Sequence, residues 1–266
     1  MFRRLRTHNY ALSWLNITPK ITPIHKRMII KLCGMQHADD IKAAAQLGIN
    51  LLGFDFIPKS PRYVRMISSQ AGIIPDFSEE RLRALKKPNT PHQQPPVKIG
   101  RVGVFADDMP QNIVTRVYNY ELDYVQLNGD EPAVTLENLR RSIDPDIRKG
   151  IKIIKRIAVD TQADLAKATE YEGKADLLLF HITAKETELQ ATSDDNSPLN
   201  QLLSAYHGST PFLISKPNAP FDTLLIKSIT HPQFAGINLD TQFELEPGKK
   251  DMEQLQKYVE AVKAIK

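Results

Sequence analysis

Apolar runs of strand length alternate with amphipathic stretches along residues 28–266, and the alternation repeats about eight times. Several of the runs are apolar at successive positions, which is typical of strands buried on both faces of a parallel sheet. The predicted strands are IIKLC, LLGFDF, IGRVGVF, YVQLN, IIKRIAV, DLLLFHI, PFLIS and AGINL.

Helix-like segments lie between these strands. In ADDIKAAAQLG, Asp39 or Asp40 is expected to cap the first turn, and Gly48 is expected to end the helix. MPQNIVTRVYNY and DMEQLQKYVEAVKAI are two further predicted helices. Strands and helices therefore alternate, as they do in a parallel α/β protein.

Eight strand and helix units in about 240 residues match the size of a (β/α)8 TIM barrel. A doubly wound open sheet is the alternative, because periodicity alone does not show whether the sheet closes. Residues 86–98, KKPNTPHQQPPVK, contain four prolines and predict an exposed, extended insertion. We therefore predict one barrel domain over residues 28–266.

Residues 1–27 differ from the remainder in charge. They carry six of the 35 basic residues and no acid, so 29 basic residues face 31 acidic ones in the rest of the chain. A slightly acidic body gives no electrostatic case for a nucleic-acid partner, despite the net charge of +4. The leader has the composition of an organelle transit peptide. The interpretation that we adopt is a disordered or extended leader before a true start at Met28.

The composition of the 266 residues, 41% apolar and 25% charged, is that of a globular protein with a sizeable core. No run approaches the roughly 18 apolar residues of a membrane span. The single cysteine excludes an internal disulfide framework, and a reducing cytoplasm is the expected compartment.

That cysteine, Cys33, ends the first predicted strand, where parallel barrels place their chemistry. Lys31 lies two residues earlier and shares its face, and Gly34 allows a ligand to approach closely. A lone cysteine is nonetheless more often a core residue than a catalyst. The local pattern leaves both interpretations open.

Four segments in order, KLCGMQHADDIKAAAQLGINLLGFDFIPKSPRYV, GRVGVF, YVQLNGDE and EPGKKD, resemble the phosphoribosylanthranilate isomerase family of tryptophan biosynthesis. The resemblance implies a cofactor-free and metal-free Amadori rearrangement of N-(5-phosphoribosyl)anthranilate to a 1-deoxyribulose phosphate. Such a reaction needs a general acid at the ring oxygen and a general base at the C2 proton, on opposite sides of the sugar.

The resemblance also implies roles for individual residues. Cys33 matches the family's general base, and its thiol needs a nearby cation such as Lys31 to become a thiolate. Arg62 matches the arginine that faces the anthranilate carboxylate, with a surface ion pair as its alternative. Asn128 takes the place of a histidine that is common in the family.

The second half of the chain departs from the family pattern. The family's general acid is an aspartate in a sequence like LLLD, whereas this chain reads DLLLFHI, which predicts Phe180 at the position of the acid. His181 is an alternative only if the backbone turns, because neighbouring residues of a strand face opposite sides. Asp55 is either an ion-pair partner of Lys31 or Lys155, or a displaced general acid.

The expected phosphate site is altered as well. The family binds the phosphate on glycine-rich turns after strands six, seven and eight, where backbone amides point at the anion. Here the three turns contain, in order, Asp194 and Asp195, then Lys216 and Pro217, then Asp240, Thr241 and Gln242. Lys216 can still hold a phosphate as a point charge.

Two functional hypotheses follow. The first is an isomerase of this family with a lowered rate, acting on a small phosphorylated sugar linked to anthranilate. The second is a divergent barrel that has lost the reaction and binds another small ligand or a protein partner. The oligomeric state is not predicted.

Overall fold

The computed structural model describes residues 28–67, 99–183 and 197–265. Eight parallel strands form a closed barrel in chain order, because β1 pairs with β8 from Ile29↔Gly236 to Leu32↔Leu239. The predicted barrel is confirmed and the open-sheet alternative is wrong. The strands are β1 Ile29–Leu32, β2 Leu51–Asp55, β3 Gly100–Phe105, β4 Tyr124–Leu127, β5 Lys152–Val159, β6 Leu177–Ile182, β7 Phe212–Ser215 and β8 Phe234–Leu239.

Within the described residues, a helix follows every strand of the barrel except β2, after which residues 68–98 lie outside the described ranges. The helices are α1 Ala38–Gln46, α2 Pro110–Tyr120, α3 Ala133–Ile143, α4 Gln162–Leu165 with a 3-10 turn at Ala166–Tyr171, α5 Pro198–Leu203, α6 Thr223–Lys227 and α7 Met252–Lys263. A short ribbon, β9 Glu244–Glu246 and β10 Lys249–Lys250, precedes α7. No helix within the described ranges is long and apolar enough to cross a membrane.

The three helices named from the sequence are confirmed, but the capping of α1 differs from the prediction. Gly48 follows the helix in a left-handed conformation (φ +68°), as expected. His37 is the N-cap and makes no capping bond with its side chain, while Asp39 and Asp40 lie inside the first turn. There their negative charges interact favourably with the positive end of the helix dipole. Residues 1–27, the insertion at 86–98, and Asp194 and Asp195 lie outside the described residues.

Alternation along each strand divides the core into two layers. Outward-facing side chains pack against the helices, and inward-facing ones fill the barrel. In β6, Leu178 and Phe180 belong to the outer layer, whereas Leu177 and Leu179 belong to the inner one. The inner cluster consists of Cys33, Leu51, Val102, Val104, Ile154, Leu177, Leu179, Leu213 and Ala235.

Candidate active site

Cys33 and Lys31 lie together at the carboxyl end of β1. Cys33 is 6% exposed and Lys31 is fully buried. Lys31 Nζ contacts Cys33 Sγ and donates a 2.7 Å hydrogen bond to Asn238 Oδ1 of β8, which is also 3.4 Å from the thiol sulfur. The predicted shared face of Lys31 and Cys33 is confirmed. The thiol therefore sits next to a cation that the amide of Asn238 holds in place.

Two opposing effects set the protonation of Cys33. Burial raises the pKa of the thiol above its usual value of 9.0, and the charge of Lys31 lowers it by a smaller amount. In the free protein the thiol is consequently protonated at neutral pH. Gly53 on β2 makes the space for it, since a Cβ there would lie 2.5 Å from Cys33 Sγ.

Arg62 forms an ion pair at the mouth of the barrel. Its Nε and Nη2 donate hydrogen bonds of 2.6–2.9 Å to Glu244, which also accepts a 2.8 Å bond from the buried Lys250. Burial acts to raise the pKa of Glu244, but the bonds from Arg62 and Lys250 outweigh it and lower that pKa. Gly34 (φ +71°) lets this cluster approach, because a Cβ would meet Arg62 Cδ at 2.9 Å.

Asp55 ends β2 and is half-buried. Its carboxylate accepts a 2.9 Å bond from the backbone of Ile57, and burial raises its pKa. The predicted ion pair with Lys31 or Lys155 is wrong for the described part of the chain. Lys31 contacts Cys33 and Asn238 instead, and Lys155 faces outward, 2.7 Å from Glu131.

The prediction that Phe180 occupies the position of an acid facing the sugar is wrong, because the Phe180 side chain points away from the barrel interior. The Phe180 ring lies in the outer layer, 4.7 Å from the Phe212 ring and 5.2 Å from the Tyr206 ring, measured between centroids. His181 is the β6 residue that faces the barrel interior at this end, two residues beyond the inward-facing Leu179. The apolar run hides the phase of the strand, so the sequence did not show which residue faces inward.

His181 is half-buried and lies next to Ser215 of β7, with 3.0 Å between Nδ1 and Oγ. Burial, and secondly the charge of Arg156, lower the pKa of His181 to about 4, while Asp240 acts to raise it. The imidazole is therefore neutral in the free protein at pH 7. His181 lies three strands from Cys33 around the barrel, so the two groups face the central space from different sides.

Two amide side chains, one on β4 and one directly after it, line the adjacent wall. Gln126 Nε2 donates a 2.8 Å hydrogen bond to Oδ1 of Asn128, the residue predicted to stand in place of a histidine common in the family. Arg156 extends inward from β5 beside them, two residues after the inward-facing Ile154. Neither Gln126 nor Arg156 was among the sequence-based candidates, although the alternation of each strand was a usable signal.

The turns after β7 and β8, where the resemblance led us to expect glycines, contact one another through the Gln242 side chain. The Gln242 side chain accepts a 2.5 Å bond from the backbone N–H of Asp240 and donates one of 2.5 Å to the backbone oxygen of Lys216. Lys216 lies over the Phe221 ring, with Nζ 5.3 Å from the centroid. The turns after β7 and β8 are therefore bridged by an amide, and a carboxylate, Asp240, stands beside them.

Together these features define a (β/α)8 barrel with titratable side chains at the carboxyl ends of its strands, the face where barrel enzymes carry their chemistry. The thiol, the imidazole and the Arg62 cluster are all contributed by strand ends or by the loops that follow. Within the described ranges, no group of three or more His, Cys, Asp or Glu residues is placed to hold a metal ion.

Comparison with known proteins identifies the family. The model of the N-(5'-phosphoribosyl)anthranilate isomerase family matches residues 30–189. The isomerase of Parabacteroides distasonis is 32% identical over 236 residues, which cover 88% of this chain and 93% of that protein. The chain belongs to the phosphoribosylanthranilate isomerase family, whose reaction is a step of tryptophan biosynthesis.

Solved structures of this family share the fold. The Thermus thermophilus enzyme superimposes with a TM-score of 0.62 at 20% identity, covering 90% of this chain and all of that one. An isomerase in complex with reduced 1-(o-carboxyphenylamino)-1-deoxyribulose 5-phosphate gives a TM-score of 0.59 at 22% identity, covering 89% of this chain and 98% of that one. At these identities the likeness concerns the barrel alone.

Proposed function

We propose that this protein catalyses the Amadori rearrangement of N-(5'-phosphoribosyl)anthranilate with Cys33 as the general base. The contact between Cys33 and the buried Lys31 at a strand end carries the proposal. A thiol in that position can take a proton from a ligand in the barrel mouth, and an adjacent ammonium stabilises the thiolate that is needed. Since Cys33 has to remain a free thiol, a reducing compartment such as the cytoplasm suits the reaction.

The general acid in this proposal is His181. It donates its proton to the ring oxygen of the ribose, and the bond between that oxygen and C1 breaks to give an iminium ion. The Cys33 thiolate then takes the C2 proton, and the electron pair of the C–H bond forms a C1–C2 double bond while the iminium nitrogen becomes neutral. Ketonisation of this enol gives the aminodeoxyketose.

The positions of the two residues in the barrel favour His181 over Asp55 as the general acid. The acid and the base have to act on opposite sides of the sugar. Asp55 lies on β2, directly beside the strand of Cys33, whereas β6 with His181 is three strands away. The raised pKa of Asp55 would suit an acid, but its place next to the base does not.

The protonation states of His181 and Cys33 in the free protein also bear on the expected rate of turnover. With a pKa of about 4, roughly 10⁻³ of His181 is protonated at pH 7, and the Cys33 thiolate is likewise a minor form. The free protein therefore holds little of the reactive combination, which is consistent with the lowered rate expected from the sequence. No feature of the described structure favours the alternative of a barrel without this activity.

The test is turnover of phosphoribosyl anthranilate, followed by the loss of its fluorescence. We expect Cys33→Ala to remove turnover, and His181→Ala to lower kcat by about 10²- to 10⁴-fold. Asp55→Asn is the matched comparison for the acid. Lys152→Met, which changes an exposed cation at the opposite end of β5, should leave turnover unchanged.

Wild-type protein without turnover would refute the proposed activity. Turnover that persists in Cys33→Ala would refute the assigned base. If Asp55→Asn loses the rate and His181→Ala retains it, the acid is Asp55 instead.

A further inference from the structure

Arg156 is a cation in the barrel interior that has no counter-ion in contact among the residues that the structure describes. It is half-buried, and its guanidinium makes no hydrogen bond or ion pair with the residues that the structure describes. Burial lowers its pKa, as expected for a charge that leaves water without gaining a partner. An arrangement of this kind is costly unless an anion completes it.

The other inward cations at this end have partners. Lys31 is bonded to Asn238, and both Arg62 and Lys250 are bonded to Glu244. Arg156 differs from these three in having only the more distant Asp240 as an opposite charge. It is therefore available for a ligand.

A second unpaired group lies beside Arg156. Gln126 is 2% exposed, and its Oε1 is a buried acceptor with no hydrogen-bond partner in the described structure. Gln126 pairs in register with Ile154, so Arg156 is the next inward residue along the neighbouring strand. Buried acceptors are rarely left unsatisfied. A ligand that brings both an anion and hydroxyl donors would satisfy the two groups together.

The titratable groups near Arg156 indicate which part of the site its guanidinium faces. Its charge acts on His181 of β6, the strand that pairs with β5. On the other side, Asp55 and Arg62 act on one another. Arg156 thus lies beside His181 on β5 and β6, whereas Arg62, the expected carboxylate contact, follows β2.

We infer that Arg156 binds the phosphate of the substrate, taking the place of a backbone cradle, while Gln126 accepts a hydrogen bond from a sugar hydroxyl. The inference rests on the proposed function for the identity of the substrate. A planar fork of donors suits a phosphate, and a side chain from β5 does not depend on the turns that Gln242 bridges.

The test compares Arg156→Met and Arg156→Lys with wild type. Ribose 5-phosphate and inorganic phosphate probe the phosphate site, benzoate probes the carboxylate site, and calorimetry gives each Kd without turnover. We expect Arg156→Met to weaken both phosphate ligands by about 10- to 100-fold, as for loss of a charged hydrogen bond, with the benzoate Kd unchanged. KM should rise by a similar factor. For Arg156→Lys, the Kd of each phosphate ligand should lie between the values for wild type and Arg156→Met.

Lys152→Met is the matched control, because it removes one positive charge from the same strand about 13 Å away. Its Kd for ribose 5-phosphate should equal that of wild type. Unchanged phosphate affinity in Arg156→Met, or loss of benzoate binding alone, would overturn the inference. If wild type binds ribose 5-phosphate through Arg156 but shows no turnover, the binding inference stands and the proposed reaction fails.

Discussion

Lys31→Met is the most direct probe of the electrostatic coupling between Lys31 and Cys33. Lys31 contacts the thiol inside the protein, and no solvent lies over its fully buried side chain. For two charges about 4 Å apart at an effective dielectric constant of about 20, the attraction is about 4 kcal/mol. An energy of that size changes an equilibrium constant by about 10³-fold. Removing the cation should therefore raise the pKa of Cys33 further and lower turnover at fixed pH by about 10²- to 10³-fold.

The pKa change can be measured apart from catalysis. Cys33 is the only cysteine of the chain, so the ultraviolet absorbance of its thiolate can be titrated directly, with Cys33→Ala as the blank. The free energy of unfolding should stay equal or increase, because Met fills the space of a buried lysine without its desolvation cost. An unchanged titration in Lys31→Met would refute the electrostatic coupling. A lowered pKa would refute its sign.

Three further predictions follow from the same contacts. Phe180→Ala should lower the free energy of unfolding by about 3 to 5 kcal/mol in a denaturant titration, with kcat per folded molecule retained. Gly53→Ala should abolish turnover while circular dichroism still reports a folded barrel, because the new Cβ would lie 2.5 Å from Cys33 Sγ. Asp240→Asn should lower the pKa values of both Cys33 and His181, measured by thiolate absorbance and by NMR, since Asp240 acts to raise each.

The barrel could be predicted from the sequence because its strands are continuous apolar runs. All eight predicted strands occur, each within two residues of the predicted ends. Closure could not be predicted, because it depends on the pairing of β1 with β8, about 200 residues apart in the chain. The bond between Lys31 and Asn238 is a product of that closure, so Asn238 was missed.

Candidate residues could be named from the sequence where polar residues mark the strand ends. Lys31, Cys33 and Arg62 were all named from the sequence, and the structure places all three at the mouth of the barrel. The phase of β6 was not predictable, because Leu177 to Phe180 are uniformly apolar and give no alternation. Register with β5, in which Ala158 pairs with His181, fixes the phase.

An imidazole at the end of β6 has to gain its proton in a different way from a carboxylic acid before it can act as the general acid. His181 has to be protonated to act as the acid, yet Arg156 adds to the effect of burial and keeps it neutral in the free protein. A phosphate bound to Arg156 would cancel that positive charge, and the pKa of His181 would rise toward its usual value of 6.5. The acid would then gain its proton only when the substrate is in place.

This coupling has a sign that can be checked in the free protein. Removing the cation in Arg156→Met should move the NMR titration of His181 upward from about 4, because one of the two causes of the low pKa is lost. Ribose 5-phosphate should produce an upward shift in wild type and none in Arg156→Met. If neither Arg156→Met nor ribose 5-phosphate shifts the titration of His181, phosphate binding and the protonation of His181 are independent. The low pKa of His181 would then be due to burial alone.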